Sequence, residues 1–115
     1  MANVSLYVQV TWEEAVQACS SNSAHLASIT SQEERRFAWK LAGETRTWIG
    51  GSDKTTEGKW EWVDNEPWTP FWGGNNPNNA GNNQDCAQLA YGDDGLFDDE
   101  FCHTKSQFLC KGPVF

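Results

Sequence analysis

The stretch that decides the fold is Gln84-Asp85-Cys86-Ala87-Gln88-Leu89-Ala90-Tyr91, continuing through Asp93-Asp94 and Phe97-Asp98-Asp99-Glu100 to Cys102, then Ser106-Gln107-Phe108-Leu109-Cys110. Cys86–Tyr91 and Ser106–Cys110 are short, apolar-rich runs set between turn residues, so each reads as a strand. Between them, Cys86 and Cys102 bracket a polar, Asp-rich segment. Cys19 brings the cysteine count to four, and no pair has CxxC spacing, which excludes a zinc knuckle or a thioredoxin-like motif. An even count at wide spacing in a small aromatic chain implies two disulfides and a secreted or extracellular setting. Four cysteines allow three pairings, and the residues alone leave the choice open. A bridge closing a loop of about 15 residues contributes about 3 kcal/mol in the chain-entropy model.

Upstream of this stretch the periodicity changes. Residues 4–10 alternate apolar and polar side chains and predict a strand. Thr11-Trp12-Glu13-Glu14 has the form of a capping box opening a helix, with Ala15, Val16, Ala18 and Cys19 turned to the core. His25–Ile29 reads as a short strand or extended link. Ser31-Gln32-Glu33-Glu34 predicts a second capped helix with Phe37, Ala38 and Leu41 on one face and Gly43 as its stop. Thr47-Trp48-Ile49-Gly50 reads as a buried strand, and Lys59–Asp64 alternates with period two. Residues 64–85 form a long, turn-rich loop in which six of the eleven residues from Asn75 to Asp85 are Asn. Loops of this length are functional or disordered; Trp60, Trp62, Trp68, Trp72 and Cys86 around it favour a pinned loop. Helices first and strands afterwards place the chain in the α+β class.

Composition narrows the function. At 115 residues the chain is expected to be one domain, residues 1–115. With 13% aromatic residues and seven Trp it is too aromatic to be disordered. Eight basic against sixteen acidic residues give a net charge of −8, which argues against nucleic-acid binding and suits hard cations instead. No apolar run approaches the roughly 20 residues of a membrane helix, so no membrane insertion is expected. Met1-Ala2 leads straight into Val4–Val8 without a signal-peptide pattern, and reads as an added initiator on a mature segment. Asn3-Val4-Ser5 is a glycosylation sequon.

Nothing supports an enzyme. His25 lies beside an apolar run and reads as a half-buried structural residue, and His103 as a solvated turn residue. No nucleophile elbow, zincin motif or phosphate-cradling loop is present. Asp98-Asp99, read as part of a solvated acidic cluster, lacks the apolar pocket that a glycosidase acid requires. Three groups of oxygen ligands do stand out: Asp53 with Glu57; Asn76-Pro77-Asn78-Asn79 leading to Gln84-Asp85; and Asp93-Asp94 with Asp98-Asp99-Glu100. Carboxylates and amide carbonyls are the ligands that Ca²⁺ takes, six to eight at a time.

Taken in order, Cys19, Trp48-Ile49-Gly50, Trp60-x-Trp62, Asn76-Pro77-Asn78, Asp85-Cys86, Asp98-Asp99, Cys102 and Phe108-Leu109-Cys110 resemble a C-type lectin-like domain over essentially the whole chain. The resemblance implies two helices, two small antiparallel sheets, a long calcium-binding loop, and Cys19–Cys110 and Cys86–Cys102 bridges. It also implies a cis peptide before Pro77. A sugar-type Ca²⁺ site maps onto Asn76, Asn78, Gln84, Asp98 and Asp99, with Asn76, Asn78, Gln84 and Asp98 also meeting sugar hydroxyls. Here Asn76 stands where the family has Glu or Gln, Gln84 where it has Glu, and Asp98 where it has Asn. An auxiliary Ca²⁺ site maps onto Asp53, Glu57, Asn79, Gln84 and Asp85. Glu66-Pro67-Trp68 lies too far upstream to be the ligand triplet and reads as a turn packing Trp68; Trp72 likewise reads as loop packing.

The expected function is therefore Ca²⁺-dependent binding of a terminal sugar on a carbohydrate or glycoconjugate. The mannose, fucose or GlcNAc type is favoured over galactose because residues 79–85 carry no inserted aromatic-glycine segment. The alternatives are a lectin-like domain that recognises a protein partner without sugar, or one that binds ice. Weak single-site sugar affinity implies multivalency through oligomerisation.

Overall fold

The computed structural model describes residues 2–74, 84–92 and 94–112. Nine elements follow in chain order: β1 (Ala2–Val10), α1 (Trp12–Ser21), β2 (His25–Leu26), α2 (Gln32–Leu41), β3 (Thr47–Ser52), β4 (Glu61–Trp62), β5 (Cys86–Tyr91), β6 (Leu96–Glu100) and β7 (Ser106–Lys111). The α+β reading holds.

Both helix starts form where their caps place them. The Thr11 hydroxyl accepts from the Glu14 amide and the Glu14 carboxylate accepts from the Thr11 amide, a complete capping box. At α2 only half of that box forms. Ser31 accepts from the Glu34 amide, but the Glu34 carboxylate accepts instead from the amide and hydroxyl of Thr30, and it also pairs with Lys111. Gly43 sits just past the α2 cap at φ +71°, where a side chain would be strained.

The inner face of α2 departs from expectation. Arg35, Ala38 and Trp39 are buried, whereas Phe37 is 57% exposed. Residues 35, 38, 39 and 42 share a helix face, and the larger indole takes the core.

The strands, expected as two small antiparallel sheets, form one connected network in the order β1-β7-β3-β5-β6, with β2 on β7 and β4 on β3. Each half is antiparallel within itself. The parallel pairing of β3 with β7, Thr47 opposite Gln107 and Trp48 opposite Phe108, joins the halves. The pattern in Lys59–Asp64 yields only the two-residue β4, and the polar Leu96–Glu100 segment, read as a solvated cluster, is a strand.

Two apolar clusters fill the interior. One holds Trp12, Ala15, Cys19, Leu26, Trp48, Cys86 and Phe108; the other gathers Ile29, Ala38, Trp39, Ile49, Trp62, Leu89, Phe97 and Leu109. Two of the buried indoles are satisfied: Trp12 donates to the Ile49 carbonyl and Trp48 to that of Val10, each at 2.9 Å. Cys19–Cys110 and Cys86–Cys102 are the two disulfides, as the resemblance implies. Trp68 and Trp72, on the described part of the long loop, pack with Trp60 and Phe97 as read, although the chain makes its turn at 63–64 rather than at 66–68.

Candidate functional site

The loop is held at both of its described ends. On entry it lies along the free side of β6: the Phe97 amide donates to the Phe71 carbonyl at 2.8 Å, and the Gly73 amide donates to the Phe97 carbonyl at 2.9 Å. On exit, the Asp53 amide donates to the Asp85 carbonyl at 3.0 Å, because β3 ends where β5 begins, with Ser52 opposite Cys86. The chain thus leaves for residues 75–83 beside Asp98 and returns beside Asp53. Asn76, Asn78 and Asn79 lie outside the described residues, as do Pro77 with its peptide bond and Asp93. The Asn3 side chain also lies outside the description.

At the exit, Asp53, Glu57 and Asp85 each bring a carboxylate oxygen within 4.8 Å of the others, three of the residues mapped to the auxiliary site. Asp53 is 3% exposed. Its Oδ2 accepts from the Gly58 amide at 2.9 Å, while Oδ1 is buried without a hydrogen-bond partner, and so is Asp85 Oδ1. Burial pushes the Asp53 carboxyl up from its ordinary value, offset in part by the Gly58 amide. Burial also raises Asp85, reinforced by Asp53 beside it. Lys54, the adjacent base, directs its ammonium to Glu13 and lies over the Trp12 ring. Three acids this close repel one another by about 1 kcal/mol per pair in water and several times that where water is excluded. Two orphaned, buried carboxylate oxygens within a group of three acids fit a hard divalent cation, which supplies a missing partner.

At the entry, Asp98 and Asp99 stand on β6 opposite Gln88 and Ala87. Both are buried, at 6% and 0% exposed, so they do not belong to a solvated cluster. The polar sequence concealed this because the burial comes from pairing and packing: Asp98 Oδ2 accepts from Arg46 Nη1 at 2.8 Å, and the same nitrogen reaches Gln88 Oε1 at 3.0 Å. Burial raises the Asp98 carboxyl, and Arg46 pulls it back only in part. Burial would lower the Arg46 guanidinium, but the Asp98 bond outweighs it and raises it. Gln84 is half-buried next to Asp85 and is placed at the exit rather than beside Asp98 by the β5–β6 register. Asp94 pairs with Arg36 at 3.2 Å, away from both groups of ligands. Sequence reasoning missed Arg46. A lone arginine ahead of a strand carries no motif, and only the β3–β5–β6 pairing brings it to Asp98.

The histidines are structural in their contacts. His25 Nε2 lies 3.4 Å from Asp64, whose Oδ2 accepts from Ser28, and His103 is exposed.

The profile described as Lectin C-type domain matches residues 8–112. Human C-type lectin domain family 4 member K is 39% identical over 108 residues, covering 90% of this chain and 33% of that protein. The chain thus spans a third or less of the first curated relatives it matches. The cow CD23 carbohydrate-recognition domain, solved in the presence of a GlcNAc2Man3 oligosaccharide, superposes with a TM-score of 0.84 at 31% identity, covering 93% of this chain and 84% of that one. A calcium-independent type II antifreeze protein superposes with a TM-score of 0.89 at 29% identity, covering 98% and 86%.

Proposed function

Because the chain belongs to the Lectin C-type domain family, a family of non-enzymatic carbohydrate-binding domains, we propose that it binds a terminal sugar through Ca²⁺ in an extracellular setting. The observation that carries this reading is the Asp53–Glu57–Asp85 group with its two orphaned buried oxygens. A cation there ties the loop exit to the end of β3. The loop and β6 then bring Asn76, Asn78, Asp98 and Asp99 to a second Ca²⁺, which coordinates vicinal hydroxyls of a mannose-, fucose- or GlcNAc-type sugar, while Gln84 stays with the group at the loop exit. Two carboxylates at this second site place its affinity in the weak extracellular range of about 10⁻⁴–10⁻³ M. Avidity then requires several copies presented together.

The test is a calorimetric Ca²⁺ titration of chelator-stripped protein, followed by glycan binding with and without chelator. Two classes of Ca²⁺ site, and glycan binding abolished by chelator, are expected. No calcium binding up to about 10 mM, above the weak extracellular range, would overturn the reading. Asp99→Ala should abolish glycan binding, with Asp99→Asn as the control for folding.

Two alternatives have their own support. A protein partner bound without sugar is favoured by the low carboxylate count of the loop. Ice binding is favoured by the antifreeze likeness. Chelator-resistant binding to a protein, or ice recrystallisation inhibition in chelator, would identify each.

A further inference from the structure

The outer face of α2 leaves an aromatic ring in solvent beside an apolar hollow. Phe37 is 57% exposed. It borders a cavity of about 170 Å³ between α2 and β7, whose apolar wall is made by Ala27, Ile29, Phe37, Ala38 and Leu109. The polar part of the wall is already partnered. Glu34 and Lys111 pair at 2.8 Å, and the Lys111 ammonium also donates to the Ser28 carbonyl at 3.1 Å. What remains open to an occupant is therefore apolar surface. An apolar cavity of roughly 150 Å³ accepts benzene, so this one has room for a phenyl ring. Phe37 leaves that room unfilled, because more than half of it faces solvent.

The charges flanking Phe37 argue for what covers the face. Glu33 lies four positions before it and Lys40 three after, so all three share one side of α2, and all three are exposed. Glu33 has no ion-pair partner among the described residues. Lys40 engages Glu44 at 3.3 Å in a fully solvated pair of the kind that contributes little. Along the helix the face thus runs acid, ring, base, with the cavity next to the ring. That pattern is its own complement. Turned about a two-fold axis beside Phe37, Glu33 of each copy meets Lys40 of the other, and Phe37 of each meets the cavity of the other. The two helices run antiparallel across the axis, so each acidic first turn faces a basic last turn.

We propose that the outer face of α2 is a two-fold docking surface for a second copy of this chain, with Phe37 seated in the opposite cavity and Glu33 paired with Lys40 across the axis. The surface uses none of the acidic groups at the loop, so its formation is independent of Ca²⁺. It supplies one of the ways in which weakly binding copies are presented together, as the proposed function requires. The contact is small, and the dimer accordingly forms at about 0.1–1 mM protein, the weak end of specific association.

The experiment is sedimentation equilibrium from about 10 μM to 1 mM, with and without chelator, on the wild type and on charge and ring variants. The wild type is expected to pass from monomer to dimer over this range, equally in chelator. Phe37→Asp should weaken the dimer at least roughly tenfold, as the loss of one buried ring implies. Glu33→Lys and Lys40→Glu should each weaken it, and the two together in one chain should restore it, because the swapped charges meet again across the axis. In a mixture of isotope-labelled and unlabelled protein, the Phe37 ring of one copy should show contacts to the Ala38, Ile29 and Leu109 methyls of the other. A monomeric wild type at 1 mM, a dimer indifferent to Phe37→Asp, or no rescue by the charge swap would overturn the proposal. So would a cavity whose ring contacts all arise within one copy, from Phe115 of the same chain. A chelator-resistant dimer in a protein that binds no calcium would overturn the proposed function alone, and calcium-dependent glycan binding by a strict monomer would overturn this inference alone.

Discussion

At the scale of single residues, Asp53 is the clearest case of a group held at a cost. Its pKa lies above that of the unfolded chain because burial disfavours the carboxylate. Folding therefore gains from its protonation. That contribution is complete below the ordinary value of 3.8 and is lost as pH rises through the folded value. Above the window, the metal-free protein holds an unwanted negative charge with an orphaned oxygen. Asp53→Asn should raise the melting temperature of chelated protein at pH 7, by about 4 °C if about 1 kcal/mol is recovered. The difference between variant and wild type should shrink toward zero near pH 4. With calcium present the order should reverse. Differential scanning calorimetry at a series of pH values, with and without chelator, checks both signs. An unchanged difference across pH would mean that the burial of Asp53 is not what sets its charge state. Asp53, Glu57 and Asp85 were legible in the sequence as ligand types, but their convergence depends on β3 meeting β5, which no local pattern encodes. Arg46 was not legible at all, because its partner lies 52 positions away.

At the scale of elements, α2 shows where sequence patterning succeeds and where it fails. Its start and stop were readable because caps act over three or four residues: Ser31 onto Glu34, and Gly43 at positive φ. Its buried face was misread because hydrophobicity alone ranked Phe37 above Arg35. The helix instead turns Trp39 inward, against Gly95, whose φ is +71° and where a Cβ would come within 2.7 Å of the indole. Arg35 follows, its guanidinium 4.8 Å from the Phe71 ring centre. Phe37→Gln should therefore change stability by less than about 0.5 kcal/mol, the range of ordinary surface substitutions. Trp39→Ala should cost about 3–5 kcal/mol, as other large-to-small core changes do. Urea denaturation of the two variants separates these faces. A costly Phe37 and a tolerant Trp39 would mean that the helix is rotated from the placement described. The β6 strand was hidden for the opposite reason: its Asp98-Asp99-Glu100 run reads as loop, and the strand forms because the partners on β5 and the loop entry at Phe71–Gly73 take up its backbone groups.

At the scale of the whole molecule, the pairing of β1 with β7 sets Ala2 opposite Lys111, so the two described ends of the chain leave from adjacent points. Cys19 and Cys110 are bridged across a sequence separation of 91. Together these features define a path for mechanical load. Pulled by its ends, the domain would open from the β1–β7 edge one hydrogen-bonded pair at a time, and the tension would then meet the Cys19–Cys110 bond. Beyond that point the load runs through sulfur, and the 90 residues between the two cysteines carry none of it. In optical tweezers the oxidised protein should lengthen by only roughly 7 nm, the reach of some twenty extended residues. Reduced protein should release the whole chain. A full-length extension under oxidising conditions would show that the bond does not bear the load. With the chain pulled from these two ends, the loop, both acidic groups and the Arg46–Asp98 pair stay slack, because all of them lie between Cys19 and Cys110.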